Sequence, residues 1–82
     1  MEAGMMKVFG YPNGSPVNDQ GLVELKEISL VVNPEALREF AKFLLNEADE
    51  MERMGRKYDH VHLREKSEVW KEYSTEVIVV RP

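Results

Sequence analysis

The run Asn33-Pro34-Glu35 and the helical periodicity behind it constrain this chain more than any other stretch. Asn can accept a hydrogen bond from a free amide of the first turn. Pro at the first helical position gives up a donor that has no partner there anyway, and an early carboxylate faces the positive end of the helix dipole. Leu37, Phe40, Ala41, Leu44, Ala48 and Met51 then recur at steps of three and four, so they form one apolar stripe, widened by Phe43, Leu45 and Met54. This stripe is the expected core face. Gly55 suits the position just past the helix end, and Arg53, Arg56 and Lys57 set positive charge against the terminal carbonyls. The pattern predicts a helix from Pro34 to Met54.

Extended segments flank it. Met6 to Tyr11 reads as a first strand, weakened by Gly10 and ended by the turn-forming run Pro12-Asn13-Gly14-Ser15-Pro16, with a loop to about Gly21. Leu22 to Val32 reads as a second strand whose alternation changes phase: Val23 and Leu25 share one face, Ile28, Leu30 and Val32 the other. A bulge near Lys26-Glu27 reconciles the two halves. Tyr58 to Arg64 is a third strand, Glu65 to Tyr73 a polar loop carrying Val69 and Trp70, and Thr75 to Val80 a fourth strand. Val77-Ile78-Val79-Val80 is apolar on both faces, which suits an interior strand, whereas the third strand alternates and suits an edge. The expectation is an α+β domain, β-β-α-β-β, with one four-stranded antiparallel sheet of order 1-2-4-3 and a single long helix on one face. The other sheet face then needs a cover: the Val69-Trp70 loop, a second copy of the chain as a homodimer, or a different protein.

Composition narrows the function classes. Residues 1–82 are short enough for a single domain, and at this size only about 60–65% of the unfolded surface is buried on folding. Without cysteine, no disulfide or thiolate site can help hold it. Fifteen Asp and Glu against eleven Lys and Arg give a net charge of −4, which argues against nucleic acid or an anionic membrane as partner and suits a basic protein. No segment approaches the roughly 20 apolar residues that cross a bilayer, and the start lacks a basic region followed by an apolar run. The chain therefore reads as soluble and cytoplasmic.

The histidines are the nearest thing to a site. His60 and His62 stand two apart on a predicted strand, so both imidazoles project from one face and could share a metal. Glu65, Glu68 or Asp59 would have to complete the shell, and Asp59 lies on the opposite face of a regular strand. The plainer reading is a polar sheet face with hydrogen-bonded imidazoles. Neither Ser67 nor Ser74 stands in a Gly-x-Ser-x-Gly elbow, and no phosphate-cradling glycine loop is present, so no catalysis and no cofactor are expected. Glu47, Asp49, Glu50 and Glu52 crowd the C-terminal half of the helix. The pairs Asp49 with Arg53 and Glu52 with Arg56 fit a solvated face. Trp70, among charges, is either a core plug or an interface anchor.

Several segments resemble a known family: Phe9-Gly10-Tyr11, the run from Ile28 through Asn33-Pro34-Glu35 to Arg38, Phe43-Leu44-Leu45, Ala48-Asp49-Glu50-Met51, Asp59-His60-Val61-His62-Leu63 and Val77-Ile78-Val79-Val80. Together they look like the short bacterial α+β proteins classed as predicted immunity proteins of polymorphic toxin systems. The resemblance runs from Met6 onward and is most specific at Asn-Pro-Glu and Asp-His-x-His-Leu. It implies a protein that binds a cognate toxin in the producing cell and blocks it, without cofactor or catalysis. Asp59, His60, His62, Glu68 and Trp70 are the expected contact residues. A small metal protein or enzyme using His60 and His62, and a housekeeping homodimer, stay open beside it.

Overall fold

The computed structural model describes residues 5–70 and 74–82. The elements are β1 (Met6–Pro12), β2 (Leu25–Val32), α1 (Pro34–Met54), a 3-10 turn over Gly55–Lys57, β3 (His60–His62), a single helical turn α2 (Leu63–Lys66) and β4 (Ile78–Val80). The loop expected over Glu65 to Tyr73 is described as far as Trp70, and its last three residues lie outside the described residues. Helix α1 has the expected limits. Asn33 Oδ1 accepts from the Ala36 amide at 2.8 Å, and Gly55, at φ +58°, donates its amide to Met51 O.

The single four-stranded sheet of order 1-2-4-3 is not formed. There are two separate two-stranded antiparallel sheets, β1 with β2 and β3 with β4, in a chain that is α+β overall. The last segment runs beside β1, not β2. Thr75 N donates to Met6 O at 2.8 Å, while the amides of Met6 and Val8 donate to Ser74 Oγ (3.0 Å) and Thr75 Oγ1 (3.2 Å). Hydroxyls thus take donors that a backbone ladder would have paired, and the two sheets are stitched instead of fused. The doubly apolar Val77–Val80 run, read as an interior strand, pairs with β3 alone and leaves Ile78 and Val80 exposed.

The phase change in the second strand is real. Pro12 pairs with Leu25 but Tyr11 with Glu27, so Lys26 is an extra residue in β2. Gly10 makes room there, since a Cβ on it would stand 2.7 Å from Leu25 Cδ1 and 2.9 Å from Glu27 O. Met6, Ala36, Phe43, Leu63 and Trp70 form the buried core, with Val8, Leu30, Val32, Phe40, Val61, Val77 and Val79 packed around it. Met6, Val8, Leu30 and Val32, together with Val61 and Val79, therefore make up the inner side of the two sheets.

The helix is turned from its expected orientation. Ala36, Phe43 and Glu47 are its buried residues; Leu37 and Leu44 are exposed, Leu44 by 41%, and so is Ala48, while Phe40 and Met51 are half-buried. The reason is a carboxylate inside the core. Glu47 is buried, with Oε2 accepting from Asn46 Nδ2 at 3.1 Å and Oε1 from the Tyr58 hydroxyl at 2.9 Å. Burial, then the hydrogen bond and negative charge of Glu47, push the Tyr58 phenol up to about 12.

Two measurements check this packing. Phe43→Ala should cost about 3–5 kcal/mol in denaturant unfolding, and Leu44→Ala about 1 kcal/mol, because only the first opens a cavity; equal costs would put the Leu44 face in the core. Because the folded pKa of Tyr58 is raised above its unfolded value of 10.0, the stability it contributes is full below pH 10 and is lost as pH rises towards 12. Tyr58→Phe should destabilise at pH 8 by about 1–3 kcal/mol, leaving a buried carboxylate oxygen without its donor, and should flatten that alkaline loss.

Candidate partner-binding face

Alternation decides which side chains point away from α1. With Met6, Val8, Leu30 and Val32 turned inward, β1 and β2 present Lys7, Phe9, Tyr11, Glu27, Ser29 and Val31 on the outer face, where the register sets Lys7 opposite Val31 and Phe9 opposite Ser29. In the second sheet, Val61 and Val79 are paired and turned inward. His60 opposite Val80 and His62 opposite Ile78 therefore share the outer face. Phe9, Tyr11, Val31, Ile78 and Val80 are all exposed.

The two imidazoles meet edge to face, with centroids 5.2 Å apart. His60 Nδ1 and Asp59 Oδ2 are 2.6 Å apart, with Nδ1–H as donor. Asp59 reaches its neighbour because β3 starts only at His60, so the rule of opposite faces in a regular strand does not bind it. His62 Nδ1 lies 3.4 Å from Glu76 Oε2, which also stands 3.9 Å from Arg64 Nη1. Glu76 Oε1 accepts from the amides of Arg64 and Val77, each at 3.0 Å.

Glu76 was the residue that sequence reasoning passed over. Only the pairing register reveals it: extending the pairing of His60 with Val80 and His62 with Ile78 by one step sets Glu76 opposite Arg64, an opposite-charge pair. Among the described residues, no three His, Asp or Glu side chains are placed to hold a metal ion together. Glu65 lies in α2, and Glu68 lines a cleft of about 650 Å³ between α1 and the α2 segment, floored by Phe43, Leu63 and Val69.

Trp70, expected among the contact residues, is buried. Its ring packs on Phe40 at a centroid distance of 6.4 Å, and Nε1 donates to Thr75 O at 3.0 Å. The indole is thus the core plug, and it anchors the start of the segment that runs beside β1. It fills the inner side of the domain and takes no part in the outer face.

Chemically, this face offers aromatic and aliphatic contact area, two imidazoles held by carboxylates, and a mixed-charge border. No helix of the described residues is long and apolar enough to cross a membrane. No curated protein and no solved structure matches the chain. A family model described as Immunity protein 32 matches residues 27–82, which takes in most of β2 and all of α1, β3, α2 and β4. With well over half its length inside that match, the chain belongs to the Immunity protein 32 family.

Proposed function

We propose that the protein is a non-catalytic inhibitor that binds a cognate toxin in the cytoplasm of the producing cell and blocks it, using no cofactor. The observation that carries this reading is the face of the two sheets turned away from α1, whose aromatic, aliphatic and imidazole side chains no element among the described residues covers. The domain measures 35 × 33 × 18 Å. Its broad side is larger than the roughly 800 Å² per partner that a specific complex buries. Asp59, His60 and His62 supply polar contacts beside Ile78 and Val80, and Glu68 marks the adjoining cleft. Trp70 acts from beneath as a positioning residue. A net charge of −4 suits a basic target, such as a nucleic-acid-cleaving site, and hastens encounter with it.

Co-expression with the product of the adjoining reading frame tests the reading. The intact protein should restore growth, whereas His60→Ala combined with Ile78→Asp should lose rescue while keeping its circular dichroism spectrum and core stability. If the adjoining product is harmless, the inhibitor reading fails. If the purified protein holds one equivalent of zinc that His62→Ala removes, the metal reading replaces it.

A further inference from the structure

The connection between β1 and β2 is long for a hairpin. Two to five residues suffice to join antiparallel strands, yet here the loop occupies residues 13–24. It is held in shape by its own groups. Asn13 N donates to Glu24 O at 3.0 Å, Asn13 Oδ1 accepts from Ser15 N, and Asn18 Oδ1 accepts from the amides of both Gln20 and Leu22 at 3.0 and 2.8 Å. Asn18 N closes the ring on Leu22 O at 2.9 Å. Ties of this kind lower the ordering cost that the loop would meet on docking.

What it displays is not what a solvated loop displays. Val17, Leu22 and Val23 are exposed by 59, 63 and 48%, beyond the strand ends where Tyr11 and Leu25 are exposed as well. Between Lys7 and Lys26 the only charged residues are Asp19 and Glu24. The segment therefore sets three exposed aliphatic side chains and two carboxylates among turn-forming residues, without one basic group. It also stands outside the family match, which begins at Glu27.

We infer that residues 13–24 form a preformed docking finger that sets which toxin this protein binds, by entering a concave toxin surface with an apolar floor and a Lys- or Arg-bearing rim. The inference rests on the inhibitor reading and deepens it. The scaffold matched by the family supplies the helix and the second sheet, and the finger adds the contacts peculiar to this chain. Apolar insertion gives affinity, and the two carboxylates give orientation and encounter rate.

The test uses full-length protein and the purified product of the adjoining toxin-like reading frame. The triple variant Val17→Ser, Leu22→Ser, Val23→Ser alters only exposed positions. It should keep its unfolding midpoint and lose about 100-fold or more in affinity. Asp19→Asn with Glu24→Gln should slow association several-fold at low salt, and the difference should shrink at high salt. Amides of residues 13–24 should gain exchange protection in the complex. Unchanged affinity of the triple variant overturns the inference while leaving the inhibitor reading standing, provided His60→Ala with Ile78→Asp still weakens the complex. A free protein that sediments as a dimer and becomes monomeric on the triple substitution overturns it in favour of a second copy as occupant. If intact protein does not bind the product at all, the inhibitor reading falls and takes the finger with it.

Discussion

The buried carboxylate of Glu47 sets the geometry on which the rest of the domain depends. A group of this kind is tolerated inside a protein only when its oxygens are satisfied, and here Asn46 and Tyr58 each donate to one of them. Tyr58 lies just before β3, so the bond ties the middle of α1 to the strand that carries the histidines. It also fixes the rotation of the helix about its axis. With Glu47 inward, Ala36 and Phe43 must be inward too, since all three lie within one narrow arc of the helical repeat. Leu37 and Leu44 are carried to the flank.

The second constraint is the seam between the sheets. Ser74 and Thr75 occupy the edge of β1 with side-chain oxygens, so the strand's amides are satisfied without a continuous ladder. Trp70 holds this seam from the inside through its hydrogen bond to Thr75 O. The chain then leaves β1 and joins β3, where Leu63 N donates to Val77 O and Arg81 N to Asp59 O, extending the contact one step past each end of the short ladder. Core packing on both sides of the seam comes from Met6, Leu63 and Trp70 with the half-buried valines around them.

How much of this was legible in the sequence differs by element, for physical reasons. The helix limits are written in local chemistry, Asn33 and Pro34 at one end and Gly55 at the other, and the bulge at Lys26 is written in the phase of the alternation. The rotation of the helix is not, because a glutamate within an acidic run looks solvent-facing until Tyr58, beyond the helix end, is found to meet it. The sheet order is not, because apolar character on both faces of Val77–Val80 does not require burial on both faces: Ile78 and Val80 are exposed. At the candidate site, the shared face of His60 and His62 follows from strand periodicity alone. Glu76 needed the pairing register, and Trp70 needed the core, for which no local pattern substitutes.

A domain of this size has one helix to spend on two sheet faces, and that limits what its bare face can be. Exposed aromatic and aliphatic side chains on a flat sheet invite non-specific association, and natural proteins blunt such surfaces with charge, bulges and short edge strands. This chain carries the bulge at Lys26, only three residues in each of β3 and β4, and carboxylates beside each imidazole, yet it leaves Phe9, Tyr11, Val31, Ile78 and Val80 uncovered. Keeping the apolar centre while guarding the edges costs solubility and adds nothing to packing. Such an arrangement is retained where a partner buries the centre. On the proposed function, the uncovered face and the loop over residues 13–24 are the surface that a toxin would bury.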